Sequence, residues 1–210
     1  MTGTDWSQWH EGYARPGSGL ADRLAAVCAQ IERHLDATAP DPVRVISACA
    51  GDGRDLLSVL SRRPDADRVT ALLVEYDEGL AARAREAAGA LPARIEVLQA
   101  DAAQSDIYAP AVPADLVLLC GIFGNVTDAD VRTTVDATSQ LCAPGAEVIW
   151  TRHRDRPDLT PSIRGWFADA GFEEVAFVTP QEHRWSVGVC RLASDPRPLV
   201  PGRRWFPFVR

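Results

Sequence analysis

At 210 residues, 46% of them hydrophobic, the chain is long enough to bury one substantial core, and a second full domain would be crowded. Its formal net charge of −7 and pI of about 5.1 disfavour a nucleic-acid-binding protein, and no apolar run is long enough to cross a membrane. All 22 basic residues are arginine, which excludes reactions that need a lysine amine. We therefore expect one domain over residues 1–210, with no nucleic-acid or membrane partner.

The cysteines and the N-terminal residues indicate the cellular compartment of the protein. Five cysteines form an odd, widely spaced set in apolar or small-residue segments, which is typical of free thiols in a reducing compartment. The first 13 residues lack the basic stretch and apolar run of a signal peptide. A cytoplasmic protein is expected.

The pattern of apolar residues predicts alternating helices and strands. An irregular or short helical arm, residues 1–19, precedes an amphipathic helix from Leu20 to Leu35, whose end at His34 we expect to be solvated. Strands are then predicted at 43–46, 69–74, 94–98, 114–120 and 147–151, and helices at 55–60, 79–90, 128–141 and 162–170. Pro144-Gly145 is predicted to be a turn before the fifth strand.

Two further strands, 173–178 and 185–192, are predicted to pair antiparallel, and the Pro/Arg/aromatic tail 194–210 is left unassigned. This order predicts an α/β fold: a doubly wound, mostly parallel seven-stranded sheet with an antiparallel C-terminal edge.

Ligands of such sheets bind beyond the carboxyl ends of the strands, near the point where strand order reverses. Gly51 and Gly53 lie in the turn after the first strand and permit a close approach of backbone to ligand. Glu75, 22 positions beyond Gly53, ends the second strand, where a carboxylate can accept hydrogen bonds from both hydroxyls of a ribose. Asp101 follows the third strand, and Cys120 ends the fourth.

This set resembles the class I S-adenosylmethionine-dependent methyltransferases over roughly residues 43–151. In that family the turn has the pattern acid-x-Gly-x-Gly-x-Gly. Here Gly51 and Gly53 match the second and third glycines, Cys49 stands in place of the first, and Ser47 in place of the acid. The resemblance implies a Rossmann-like methyltransferase that binds S-adenosylmethionine and releases S-adenosylhomocysteine. It implies cofactor contacts from Ala48, Cys49, Gly51, Gly53, Glu75, Tyr76, Asp101, Ala102, Cys120 and Gly121.

The charge of the glycine turn bears on the choice of cofactor. A dinucleotide needs a pyrophosphate site free of competing acids, whereas Asp52 and Asp55 lie in and just after this turn. The acidic turn favours S-adenosylmethionine, which has a sulfonium and no phosphate. An NAD(P)-dependent oxidoreductase and a non-catalytic nucleoside-binding domain remain alternatives.

Candidate acceptor residues come from three segments. His153 and Arg152 follow the fifth strand, as a possible catalytic residue and an anion-binding residue, although the same basic cluster would also suit a solvated loop. Asn125 lies just past the fourth strand. The aromatic arm, which could close over the site as a lid or simply pack on the body, contributes the candidate catalytic residue His10 and the candidate substrate-binding residues Trp6, Trp9 and Tyr13.

We therefore expect an enzyme that methylates a small molecule in bacterial metabolite or natural-product biosynthesis. The protein is expected to be a monomer or homodimer and to have no metal site. The alternative within the family is an enzyme that modifies RNA or protein, which the acidic charge disfavours.

Overall fold

The computed structural model describes residues 18–209 and contains a seven-stranded sheet. The strands are β1 (Val43–Ala48), β2 (Val69–Glu75), β3 (Arg94–Gln99), β4 (Ala114–Leu119), β5 (Cys142–His153), β6 (Phe172–Val178) and β7 (Trp185–Leu192). Their order is β3-β2-β1-β4-β5-β7-β6. The first five strands pair in parallel, and β7 pairs antiparallel with both β5 and β6. The predicted fold class is confirmed, and strand order reverses between β1 and β4.

Within residues 18–209, five helices cover the two faces of the sheet: α1 (Gly19–Ala37), α2 (Arg54–Leu60), α3 (Glu78–Gly89), α4 (Asp128–Thr138) and α5 (Thr160–Asp169). Short 3-10 helices lie at Ala66–Arg68 and Ser105–Tyr108. Ser18 begins α1, because its Oγ accepts a hydrogen bond from the backbone N–H of Ala21 at 3.1 Å. Within the described part of the chain, no helix is both long and apolar enough to span a membrane.

The strands divide their side chains between two cores, as successive residues of a strand point to opposite faces. In β1, Val45 packs with residues of α1, α2 and α3 on one face, including Ile31 and Leu56. Its neighbour Ile46 belongs to the core on the other face, beneath α4 and α5, which contains Trp150. Both faces of the central strands are therefore buried, and ligand access is left to the ends of the strands.

The start of β5 differs from the prediction. The preceding helix ends at Thr138 rather than 141, and Pro144-Gly145 lies inside β5 instead of forming a turn before it. Pairing with β4 jumps from Ala114 opposite Cys142 to Leu116 opposite Glu147. Gly145 has φ +75°, which lets the extra residues bulge out before the pairing resumes.

His34 is also placed differently from the prediction. It is only 5% exposed, and its Nδ1 lies 3.1 Å from Oε2 of Glu147, a buried residue of β5. Arg33 and Arg191 bind the same carboxylate at 2.5 and 2.9 Å. The end of α1 is therefore anchored to the sheet by a buried carboxylate, which the spacing of apolar residues alone could not reveal.

Candidate functional site

A cavity of about 600 Å³ opens at the carboxyl ends of β1 to β4, where strand order reverses. Its size is typical of a site for a small molecule. The predicted cofactor residues that line it are Cys49, Gly51, Glu75, Tyr76, Asp101, Ala102, Cys120 and Gly121. Ala48 and Gly53 do not line the cavity, but each is the sequence neighbour of a residue that does, Cys49 and Asp52.

The turn after β1 is built from left-handed backbone. Cys49, Gly51 and Gly53 have φ values of +55°, +61° and +70°. A Cβ on Gly53 would lie 2.8 Å from side-chain atoms of Leu57 and Leu73, so this glycine allows α2 to pack tightly on the sheet. Cys49 adopts a conformation that favours glycine, which agrees with its position in the motif.

Glu75 is fixed at the end of β2. It is 9% exposed, its Oε2 accepts from the N–H of Gly51 at 2.7 Å, and its Oε1 accepts from the N–H of Asp77 at 2.8 Å. Burial raises the pKa of this carboxyl, while the backbone hydrogen bonds oppose that rise. Each carboxylate oxygen keeps a further lone pair, so both can still accept from a ligand.

At the end of β3, both oxygens of Asp101 have partners. Oδ1 accepts from the N–H of Ala103 at 3.0 Å, and Oδ2 forms an ion pair with Nη1 of Arg204 at 2.7 Å. Arg204 belongs to the tail that the sequence analysis left unassigned. Pro207 and Phe208 of the same tail also line the cavity.

The far wall of the cavity is formed at the ends of β4 and β5. The N–H of Gly121 donates to Oγ1 of Thr151 at 2.9 Å, and its carbonyl accepts from Nδ2 of Asn125 at 2.7 Å. Gly121 is thus held from both sides. Thr151 lines the cavity with Cys120 and Gly121 and was not among the predicted site residues.

Asp55 and Arg23 line the cavity from α2 and α1. Asp55 is 9% exposed, and burial raises its pKa to about 6 although its Oδ1 accepts from the N–H of Leu56. Burial raises the pKa of the Cys120 thiol well above its usual range; the charge of Asp55 adds to the rise and that of Arg23 opposes it. Both charges therefore lie near the end of β4.

Asp55 and Arg23 were not among the predicted site residues. The signal for Arg23 was present, because it neighbours Leu24 and lies one helical turn before Val27, and these residues line the same cavity. For Asp55 the signal was its position just behind the glycine turn.

The predicted acceptor-binding residues that the structure describes do not line the cavity. Arg152, His153 and Asn125 are not among the residues of 18–209 that line the cavity. Nδ1 of His153 lies 3.3 Å from Oδ2 of Asp155, and Arg152 lies 3.9 Å from the Asp128 carboxylate. Asn125 acts on the wall indirectly, through Gly121. Trp6, Trp9, His10 and Tyr13 lie outside the described residues, so their roles stay predictions.

Acidic side chains outnumber basic ones on the cavity wall. Five acids and three arginines line the cavity: Asp52, Asp55, Glu75, Asp77 and Asp101 with Arg23, Arg54 and Arg204. Arg54 binds Asp52, and Arg204 binds Asp101. Such a wall disfavours a pyrophosphate and suits a cationic ligand. Among residues 18–209, no cluster of histidine, cysteine and acidic side chains could hold a metal ion.

Comparison with known proteins finds similarity in structure alone. No protein-family model and no curated protein matches the sequence. A structure of magnesium protoporphyrin IX methyltransferase from Synechocystis with bound S-adenosylmethionine superposes with a TM-score of 0.68 at 11% identity, over 90% of this chain and 91% of that chain. The same protein was also solved with bound S-adenosylhomocysteine.

Two further structures are similar. An O-methyltransferase family protein from Burkholderia thailandensis has a TM-score of 0.63 at 20% identity, over 85% of this chain and 58% of that one. A TehB-like S-adenosylmethionine-dependent methyltransferase from Corynebacterium glutamicum has a TM-score of 0.56 at 17% identity, over 81% and 94%. The chain therefore has the Rossmann-like fold of the class I S-adenosylmethionine-dependent methyltransferases, as the sequence predicted.

Proposed function

We propose that this protein binds S-adenosylmethionine and transfers its methyl group to a small-molecule acceptor. The observation that carries the proposal is the Glu75 carboxylate, held by two backbone N–H groups at the edge of an acid-lined cavity where strand order reverses. The proposal is supported by the methyltransferase fold and by the similar Synechocystis protein, which was solved with this cofactor and with its product.

The adenosine part of the cofactor fits the walls formed by β2 and β3. Glu75 offers one free lone pair on each oxygen to the two ribose hydroxyls. Asp101 and Ala102 line the neighbouring wall, where the purine ring would lie. The exposed Tyr76 borders the same region, since it also lines the cavity.

The amino-acid part fits the wall formed by α1, α2 and β4. An α-carboxylate needs a cation, which Arg23 supplies, and an α-ammonium needs an anion, which Asp55 supplies. The acid expected at the end of β1 is absent, because Ser47 occupies that place. We assign its role to Asp55, which reaches the same cavity from the first turn of α2.

When bound, S-adenosylmethionine supplies a methyl group on a positively charged sulfur. The part of the protein is to orient the reactants and exclude water. Gly121, held between Thr151 and Asn125, provides a rigid wall at the end of β4. His153 remains the candidate base for an acceptor hydroxyl, and Arg152 the candidate partner of an acidic acceptor; an acceptor that is already an anion or a free amine needs no base.

We further propose that the acceptor is a small metabolite and that the enzyme acts in the bacterial cytoplasm. The net charge of −7 does not suit a nucleic-acid substrate. The five cysteines, all within the described residues, are free thiols, which suits a reducing compartment.

Isothermal titration calorimetry tests the cofactor. We expect S-adenosylmethionine and S-adenosylhomocysteine to bind in the micromolar range, as is common for small-cofactor sites, and NAD⁺ and NADH not to bind. Binding of NAD⁺ without any response to S-adenosylhomocysteine would overturn the proposal. Incubation with S-adenosylmethionine and a panel of small hydroxy, amino and carboxylic acids, followed by mass spectrometry, would then identify the acceptor by a gain of one methyl group.

A further inference from the structure

The chain continues beyond β7 and returns to the cofactor cavity. We name residues Gly202–Val209 the C-terminal strap. It runs beside the loop that follows β3: the N–H of Ser105 donates to the carbonyl of Arg203 at 2.9 Å, and the N–H of Trp205 donates to the carbonyl of Ala103 at 3.0 Å. Gln104 and Arg204 form an antiparallel bridge between these contacts. The backbone of the strap is thus hydrogen-bonded to the segment 103–105, next to the cavity wall formed by Asp101 and Ala102.

Two aromatic residues anchor the strap in the core. Trp205 is 6% exposed and stacks on Tyr108, with ring centroids 5.4 Å apart and planes 8° from parallel. Phe206 is 2% exposed and belongs to the core beneath α4 and α5. Burying a large aromatic side chain contributes about 2–3 kcal/mol, so these two residues fix the position of the segment.

The far end of the strap attaches to the loop that follows β4, behind the wall formed by Gly121. The N–H of Val209 donates to the carbonyl of Asn125, in the loop after β4, at 2.9 Å. Pro207 and Phe208 lie between this contact and the aromatic anchor, and both line the cavity. The strap therefore connects the loops that follow β3 and β4.

Arg204 places a guanidinium beside the proposed purine site. It binds Oδ2 of Asp101 at 2.7 Å while 51% of its side chain stays exposed, and it lines the cavity. An ion pair this exposed contributes about 0–1 kcal/mol to folding. Since the strap is already anchored by Trp205 and Phe206, the pair is not needed to hold it in place.

We propose that Arg204 is a cofactor-binding residue, whose planar guanidinium, held by Asp101, forms with Phe208 the surface on which the adenine ring packs. Guanidinium groups stack on aromatic faces, which the compact ammonium of lysine does less well. The proposal rests on the proposed function, and it adds a wall supplied by the strap to the contacts that the strand ends provide.

The test compares S-adenosylhomocysteine with 5′-methylthioadenosine, which has the same adenosine and sulfur but lacks the amino acid. Titration calorimetry with Arg204→Ala should show both ligands weakened by about tenfold, the order expected for a partly desolvated cation–π contact. Arg204→Lys should recover only part of the lost affinity, because lysine restores the positive charge but not the planar group that stacks on the adenine ring. Arg203→Ala, an exposed arginine next in the chain, is the matched control and should bind both ligands as the wild type does.

The outcomes separate this proposal from the proposed function. If the wild type binds neither ligand, both proposals fall. If the wild type binds both and Arg204→Ala binds them equally well, the assignment of Arg204 is wrong while the cofactor stands. A loss confined to S-adenosylhomocysteine would place Arg204 at the amino-acid end and would also overturn the assignment. Phe208 is 42% exposed and packs edge-on against the anchor Phe206, with ring centroids 5.6 Å apart. Phe208→Ala gives an independent test of the same surface: it should also weaken both ligands, and urea unfolding of the variant checks that the anchor is undisturbed.

Discussion

Oε2 of Glu75 accepts a hydrogen bond from the backbone N–H of Gly51 at 2.7 Å, and this contact ties the end of β2 to the glycine turn after β1. Oε1 of the same carboxylate accepts from the N–H of Asp77, the residue that caps α3. One side chain thus organises two neighbouring walls of the cavity before any ligand is bound.

Replacing Glu75 should therefore affect both folding and binding. Glu75→Ala leaves the N–H groups of Gly51 and Asp77 without their acceptor, and we expect the free energy of unfolding to fall by about 1–3 kcal/mol. Loss of the ribose contacts should weaken S-adenosylhomocysteine by a further factor of ten or more, the scale of a charged hydrogen bond, about 1.5–3 kcal/mol. Urea unfolding of the free protein measures the first effect and calorimetry the second.

The control for this prediction is Glu86→Ala, an exposed glutamate of α3. From sequence alone, a strand-end acid in a cleft is expected to be dispensable for folding. A Glu75→Ala protein with the stability of the wild type would support that simpler view and would contradict the role that the two backbone hydrogen bonds give to Glu75.

The left-handed backbone of Cys49 should lower the free energy of unfolding of the protein. With φ +55°, a residue other than glycine is strained by about 1–2 kcal/mol. Cys49→Gly and Cys49→Ala both remove the sulfur, but only glycine also relieves the strain. We expect Cys49→Gly to be the more stable of the two by about 1 kcal/mol in urea unfolding, after allowing for the greater freedom of glycine in the unfolded chain. Equal stability of the two variants would show that the turn is not strained.

The thiol of Cys49 should also report which end of the cofactor it faces. Burial raises its pKa well above the usual range, and the charges of Glu75 and Asp101 raise it further. Since Cys49 lines the cavity together with these two acids of the ribose and adenine walls, we expect the thiol to face that end of the cofactor. Alkylation should therefore be slow and should be slowed further by 5′-methylthioadenosine as well as by S-adenosylhomocysteine. Protection by S-adenosylhomocysteine alone would instead place the thiol at the amino-acid end. Mass spectrometry of the labelled peptide measures the rates.

The fold was predictable because its signals are local and repeated. The strands β1, β2 and β4 are nearly continuous apolar segments, and acids mark the ends of two strands: Glu75 ends β2, and Asp101 follows β3. Eight of the ten predicted cofactor residues line the cavity for the same reason: each lies at or just after the end of a strand, and parallel strands bring their carboxyl ends to one edge.

Contacts between distant segments were not predictable. Arg204 meets Asp101 across 103 positions, and His34 meets Glu147 across 113. Neither pairing follows from periodicity, since an arginine in an irregular tail and a histidine near a helix end both suit solvent equally well. The position of the tail is fixed by the buried side chains of Trp205 and Phe206, which pack on a core surface that exists only in the folded protein.

The Glu147 cluster should make stability depend on pH. Burial of Glu147 favours the neutral acid, but hydrogen bonds from His34, Arg33 and Arg191 outweigh it and lower the pKa to about 2. Because the folded-state pKa lies below the unfolded value, the stabilisation is complete above about pH 4.5 and is lost as pH falls toward 2. Glu147→Gln should be less stable at pH 7, and its deficit should shrink through that window. A deficit that is the same at pH 7 and pH 3 would contradict this account; thermal unfolding across pH measures it.

Asp55 gives the sharpest test of how the amino-acid end is held. Burial raises its pKa to about 6, and an ammonium group binds only the ionised carboxylate. The affinity for S-adenosylhomocysteine should therefore be level above pH 6 and should fall by up to about tenfold per pH unit below it. The Asp55→Asn variant should bind more weakly at pH 7.5, and this part of its pH dependence should be absent.

The control for Asp55 is a ligand rather than a variant. Glu75 also has a raised pKa, so protonation at the ribose end could weaken any adenosine-containing ligand at low pH. 5′-Methylthioadenosine has no ammonium group, and its affinity reports on the ribose end alone. The ratio of the two affinities isolates Asp55: it should fall below pH 6 in the wild type and stay constant in Asp55→Asn. A ratio that is constant in the wild type, measured by calorimetry between pH 5 and 8, would show that Asp55 does not bind the ammonium and that another group replaces the acid missing at Ser47.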